Sequence, residues 1–282
     1  MSIENFPDAF DSTVDTGLEW LSDNGSGLFD AINDVLKGAY ESLLWLFNLT
    51  PYYVVAVLIA LLGWRLAGLR FAIIALIGML FCAFIGLWPE TMGTLALVVV
   101  ATLLALLVAI PLGVLAGLLP RLDRIIEPAL DLVQTMPPYI YLLPAIALLG
   151  YGTGTALLAT FVVALPPAFC LTSLGIRMTP NEFIELGNAS GVTGWQMFLK
   201  IRLPFAMPSI MAGINQSLMM AFGMVVIAGI VGSGGLGETI YSAIRTLDIA
   251  KSINGAIAIV ILTMVLDRLA QGAATAQEGK RL

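Results

Sequence analysis

Residues 91–120 read TMGTLALVVVATLLALLVAIPLGVLAGLLP, a run of 30 residues without a charge. A helix needs about 20 apolar residues to cross a hydrocarbon core about 30 Å thick, so this run is long enough for a membrane span. Working outward, further uncharged runs cover 42–64 (23 residues), 71–89 (19), 132–176 (45), 203–237 (35) and 252–266 (15). The run of 45 is too long for one span and divides at Gly150-Tyr151-Gly152-Thr153-Gly154, where glycine favours a turn. Seven spans are therefore expected, near 52–69, 71–88, 92–119, 130–150, 155–176, 206–231 and 252–270. The runs are apolar on every side, unlike the polar–apolar alternation of membrane barrel strands. Helices also satisfy their own backbone groups, which lipid cannot do. The fold class is all-α, a polytopic membrane protein of about seven transmembrane helices.

Composition agrees and removes several chemistries. Of 282 residues, 59% are hydrophobic and 11% charged, against about a quarter charged in a soluble domain. The chain has no histidine, which excludes Ser-His-Asp and Cys-His catalysis, an HExxH zinc site and a histidine proton relay. The two cysteines, Cys82 and Cys170, lie in apolar stretches and read as buried structural thiols rather than metal ligands. No metal site is expected, and nothing points to nucleic acid.

Charge gives an orientation. The first 50 residues hold nine acids (Glu4, Asp8, Asp11, Asp15, Glu19, Asp23, Asp30, Asp34 and Glu41) and one base, Lys37, a balance of −8. The remainder holds ten acids and twelve bases, a balance of +2. Bases in short loops favour the cytoplasmic side. They flank alternate turns: Arg65 and Arg70, Arg121 and Arg124, then Arg177, Lys200 and Arg202, and finally Arg268, Lys280 and Arg281. Seven spans then put the N-terminus outside and the C-terminus inside. The N-terminal stretch lacks the basic start and apolar core of a signal peptide. Phe10, Val14, Leu18 and Leu21 recur at helical spacing, as do Phe29, Ile32, Leu36 and Leu43. Asp23-Asn24-Gly25-Ser26-Gly27 separates the two sets, so two amphipathic helices at the outer interface are expected. The domains are an acidic external arm (1–45), two accessory spans (46–89), a five-helix core (90–272) and a cytoplasmic tail (273–282).

The longest cytoplasmic loop, 177–204, contains two helix signals. Thr179-Pro180-Asn181-Glu182 reads as a cap, a proline at the first position and an acid three residues after the cap. Gly191 and Gly194 turn the chain, a second amphipathic helix begins near Thr193 with Trp195, Phe198 and Ile201 on one side, and Pro204 marks re-entry into the membrane. Exposed apolar and acidic groups in a helix–turn–helix suit docking to a soluble partner.

Glu185, Gly191, Ile201, Leu203 and Pro204 fall at the spacing of the EAA loop of ABC-importer permeases. The stretch from Arg202 to Gln216 resembles the continuation found in permeases for glycine betaine and proline betaine. So do 130–137 (LDLVQTMP), 232–237 (GSGGLG) and 266–269 (LDRL). The resemblance runs from about residue 50 to 270. It departs at Leu186 and Gly187, which replace the motif's two alanines; glycine costs a helix about 1 kcal/mol against alanine, and a shorter or looser first coupling helix is expected.

What the resemblance implies is a type I ABC importer in a bacterial inner membrane. Its loop, with Glu182, Glu185, Gly191, Trp195, Ile201 and Pro204, would dock on a separate ATP-binding subunit, which holds ATP and Mg. A periplasmic or extracellular binding protein would deliver substrate, and a second permease copy would complete a homodimer. Substrates in that family are small quaternary or methylated amines, and glycine betaine, proline betaine, choline, carnitine, dimethylsulfoniopropionate and trimethylamine oxide all remain open. The chain itself is not an enzyme.

Other motifs carry less. Gly232, Gly234, Gly235 and Gly237 formally match a dinucleotide fingerprint, but they follow a membrane span and not a strand. Glu238 stands where a P-loop needs its Lys-Ser/Thr. The turn reads as a flexible outer gate or simply a tight turn. Pro137-Pro138 and Pro166-Pro167 interrupt spans four and five, as in broken helices lining a path or in packed kinks. Asn215, Met219 and Phe222 share a face of span six, and Tyr139, Tyr141, Phe161 and Phe169 offer rings to a quaternary cation; helix packing is the commoner reading of the first set, and core or belt roles of the second. An autonomous secondary transporter or channel is the competing function, although no ionisable residue lies deep in the runs, which argues against proton coupling. The orientation predicts that a reporter fused at Gly191 reads cytoplasmic and one near Ser242 external; the reverse pattern in a fusion series would invert the topology.

Overall fold

A computed structural model describes residues 6–278. Glu4 of the acidic arm, and Lys280 and Arg281 of the tail, lie outside them. The described chain is helical throughout: α1 (Phe6–Leu49), α2 (Tyr52–Ala67), α3 (Leu69–Phe84), α4 (Trp88–Leu118), α5 (Pro120–Thr135), α6 (Leu142–Leu149), α7 (Thr153–Arg177), α8 (Asn181–Ala189), α9 (Gly194–Met197), α10 (Leu203–Ala228), α11 (Gly235–Arg245) and α12 (Ile249–Glu278).

Among the described residues, four helices are long and apolar enough to cross a membrane: Trp88–Leu118, Thr153–Arg177, Gly194–Val231 and Ile249–Ala273. Two bent pairs raise the number to six, and α3 is a shorter apolar helix. All seven expected segments are thus present as apolar helix, but not all as straight spans. At 16 residues each, α2 and α3 reach only about 24 Å.

Three expectations are corrected. The span expected at 130–150 is bent: α5 and the segment Pro138–Leu149 meet at 107°. Met136 and Pro137 are extended at the corner (ψ 140° and 130°), because a residue before proline avoids the helical region and Pro137-Pro138 has no donors to continue the helix. Pro166-Pro167 do not break span five, since α7 runs unbroken through them. Finally, the arm is one helix. α1 continues through Gly25 and Gly27, where glycine lowers helix stability by about 1 kcal/mol each without forbidding it, and Asn24 Nδ2 donates back to the Trp20 carbonyl at 2.9 Å. The buried or half-buried positions Gly25, Phe29, Ile32, Leu36, Tyr40, Leu43 and Phe47 recur every three or four residues and seat α1 against α4, α6 and α7.

The centre of the bundle is α7 packed between α4 and α10. Small residues permit it. A Cβ on Gly113 would lie 2.7 Å from the Phe169 carbonyl oxygen, and one on Gly117 2.9 Å from that of Ser173. Where the prolines remove helix bonds, Ala168 N–H donates instead to Ser217 Oγ of α10 at 3.1 Å, so a polar residue inside an apolar span supplies what the kink lacks. Cys82 is buried and Cys170 half-buried, both as free thiols.

Packing sorts the turns to two ends. At one, Gly117 abuts Ile176, Gly175 abuts Ala206 and Ser209, and Gly272 abuts Leu66, gathering the α2–α3 turn, the α4–α5 junction, the α7–α10 loop and the end of α12. At the other, Gly235 abuts Thr94, Gly154 abuts Asn33, and Gly255 abuts Ile240. The closest approach to backbone is at this second end, where a Cβ on Gly229 would stand 2.2 Å from the Gly237 carbonyl carbon and 2.4 Å from Glu238 N. Backbone cannot rotate away as a side-chain tip can. Gly229→Ala should therefore cost about 3 kcal/mol, read as a lower aggregation temperature of the detergent-purified protein; an unchanged temperature would contradict the packing.

Candidate coupling loop and substrate path

The loop begins where α7 ends at Arg177. Thr179 does not cap the next helix: its hydroxyl donates to the Ile176 carbonyl at 3.0 Å, closing α7. Pro180 occupies the cap position, and α8 starts one residue later than expected, at Asn181. Ten residues on, Gly191 turns the chain at φ +72°. Thr193 then forms a reciprocal cap with Gln196: Gln196 N–H donates to Thr193 Oγ1 at 3.4 Å, and Thr193 N–H to Gln196 Oε1 at 3.1 Å. The second helix is as anticipated at its start but not at its end. From Gly194 to Val231 it is continuous, passing Pro204 by a π turn over Phe198–Arg202. The widened turn accommodates a residue that cannot donate to the preceding turn. Trp195 and the span thus belong to one continuous helix.

Gly187 has a structural role that its helix propensity concealed. It is buried where α8 crosses the second helix, and a Cβ there would stand 2.7 Å from Met197 Cε and 2.9 Å from Ile201 Cδ1. At this buried position the Met197 and Ile201 side-chain tips fill the space beside the glycine, so α8 is short but seated. Phe183 stacks on Phe205 at 4.7 Å and Trp195 on Phe198 at 5.7 Å. Outward, Glu182 and Glu185 are exposed. So are Met178 (69%), Trp195 (68%) and Leu186 (64%). Large apolar groups this open, interleaved with acids at a bundle end, are the pattern a docking surface takes.

The family model for the inner membrane component of binding-protein-dependent transport systems matches residues 109–280, which includes this loop. The chain belongs to that family. The permease is 38% identical over 265 residues to the glycine betaine/proline betaine transport system permease protein ProW of Escherichia coli strain K12, covering 93% of this chain and 74% of that one. It is 37% identical over 258 residues to the glycine betaine transport system permease protein OpuAB of Bacillus subtilis strain 168, covering 92% of each. Its fold matches a chain of the inward-facing MetNI methionine ABC transporter with a TM-score of 0.62 at 22% identity, over 67% of this chain and 95% of that one.

The residues singled out for the path are scattered in the single permease chain. Tyr139 is exposed, and the Tyr141 hydroxyl donates to the Val133 carbonyl at 2.9 Å across the α5–α6 bend. Phe161 is half-buried against the main core. Phe169 is fully buried among Ala109, Ala116 and Ala168. On α10, Met219 is open, Phe222 is buried in the main core, and Asn215 has a buried Oδ1 without a hydrogen-bond partner. The glycine turn is fastened rather than loose. Gly232, Gly234 and Gly235 all take left-handed φ values of 72–76°. Gly234 N–H donates to Glu238 Oε2 and Leu236 N–H to Thr94 Oγ1, both at 2.7 Å. Gly237 is a close-approach residue, with the Val225 carbonyl oxygen 2.7 Å from where its Cβ would be. Beside the turn, Glu238, Tyr241, Ser242 and Arg245 border an open cavity of about 450 Å³.

Sequence reasoning missed Gly187 as a packing residue and Asp123, a buried carboxylate bonded to α7. Both signals were present, one as a glycine in a helix and the other as an acid between bases, but each has a commoner meaning. Thr193→Ala should loosen the second helix by about 1 kcal/mol. Hydrogen exchange at 194–197 should quicken about fivefold while membrane insertion is unchanged; unaltered exchange would remove the cap from the account.

Proposed function

We propose that this permease forms the translocation path of an ATP-driven importer for small quaternary or methylated amines, of the glycine betaine and proline betaine type. The observation that carries the reading is the α8–α9 loop, a pair of short helices presenting Glu182, Glu185, Leu186 and Trp195 to solvent at one end of the bundle. A separate ATP-binding subunit, holding ATP and Mg, docks there on the cytoplasmic side. Because the second helix is continuous with α10, closure of the ATPase moves the span directly. The N-terminus lies outside, where α1 and the glycine turn face a substrate-binding protein, and two copies of the permease enclose the path. The named substrates of the relatives support the substrate class, and Asn215, Met219, Tyr139 and Tyr141 are the residues proposed to meet it. Phe169 and Phe222 lie inside the core of the single chain and support the walls.

Glu185→Lys reverses a charge at the docking surface. It should lower ATPase co-purification by at least tenfold, about 1.4 kcal/mol, with normal membrane insertion. Unchanged co-purification would count against the loop as the docking site.

A further inference from the structure

Asp123 is 3% exposed at its side chain. Its Oδ1 accepts from Ser173 Oγ at 2.7 Å, and its Oδ2 from Arg177 Nη1. Ser173 and Arg177 stand four residues apart on one face of α7, so one carboxylate from α5 grips the last two turns of that helix. A buried carboxylate is tolerated when it is paired and fully hydrogen-bonded, and both conditions hold here. Beyond the clamp, α5 and α7 meet through Gln134 Nε2, 3.9 Å from Cys170 Sγ, and through Ile126 and Leu130 against the cluster around Phe169. Apolar contact is non-directional. The charged contacts are directional and fix the register of the two helices.

The clamp sits between two short linkages. On one side, Met178, Thr179 and Pro180 join Arg177 to α8, and the Thr179 hydroxyl ties that link to the Ile176 carbonyl. On the other, α5 leads through the extended Met136 and Pro137 to the turn bearing Tyr139 and Tyr141. The Tyr141 hydroxyl holds that turn to Val133 of α5. A shift of α8 must displace the end of α7, and with the clamp closed α5 and the bent segment follow.

We infer that Asp123, held by Ser173 and Arg177, is a positioning residue for transport: it makes α5 and the Tyr139–Tyr141 turn move with the α7 end of the loop. Displacement of the loop thus enters the body by two routes, directly through α10 and through this clamp to α5 and the Tyr139–Tyr141 turn, which packs on α10. The inference rests on the reading of α8–α9 as the ATPase docking site.

The test uses the whole importer, permease with ATPase and binding protein in proteoliposomes, and reads solute taken up per ATP hydrolysed. Asp123→Asn keeps the size and the acceptor oxygen but removes the charge, and Arg177→Gln cuts the same bond from the other side. Each should retain the ATPase on purification and lower uptake per ATP by ~tenfold, within the usual range of coupling between sites. The double variant should be no worse than either single one, because the two side chains act as one unit. Arg177→Lys, which keeps a cation for the single contact, should recover at least half of the lost coupling. Full uptake per ATP in Arg177→Gln would overturn the inference. So would additive losses in the double variant, or a lysine no better than glutamine. If Asp123→Asn does not accumulate, Arg177→Gln decides alone, because its side chain is already 36% exposed. Loss of the ATPase from the unaltered permease would instead refute the docking-site reading, a separate result.

Discussion

Lipid accepts no hydrogen bonds, and most of this molecule follows from that constraint. Two irregularities in the bundle core are matched by a polar side chain from a neighbouring helix. Ser217 receives the N–H freed at Pro166-Pro167, and the Thr94 hydroxyl receives the Leu236 N–H at the glycine turn. Such contacts require helices close enough for a hydroxyl to reach a backbone, and glycines at 113, 117, 175 and 213 bring α4, α7 and α10 that near. The same residues that fill the core thus determine where the chain can depart from a straight helix.

A body built this way has little freedom to deform locally, so a push at one end travels. The α8–α9 pair is mounted on two such rigid elements: it leaves α7 through three residues and merges with α10 without a break. Its inner side is closed by Gly187 against Met197 and Ile201, and its outer side is left apolar and acidic. Rigid inside and open outside is what a lever requires. The glycine turn at the other end is stiff in its own way, its left-handed backbone pinned by Glu238 and Thr94.

Much of the architecture was legible in charge-free run lengths, because about 20 apolar residues have few uses other than crossing a membrane. The cap expected at Thr179 is found instead at Thr193, though the start of the second helix near that residue was legible too. Proline was not: Pro137-Pro138 bend the chain by 107°, whereas Pro166-Pro167 leave α7 continuous. Beside the second pair, Ala168 N–H donates to Ser217 of another helix, 49 residues further along the sequence, a partner that no local reading reveals. The glycines of the arm misled in the opposite sense. Gly25 and Gly27 look like a break, but the packing of Phe29, Leu36 and Tyr40 against the bundle outweighs their cost. Of the candidate site, the exposed loop residues were legible by spacing. The exposure of the path residues was not, since it depends on which helices cover each level of α10.

The claim on which the account turns is that force enters this permease through the α8–α9 loop. Cysteine cross-linking tests it most directly. A single cysteine placed at Trp195, and separately at Leu247 beyond the other end of the bundle, would be challenged with a short bifunctional thiol reagent in membranes containing the ATPase. The account predicts an adduct with the ATPase from position 195 and none from position 247. An adduct from 247, or none from 195 while uptake remains ATP-driven, would contradict it.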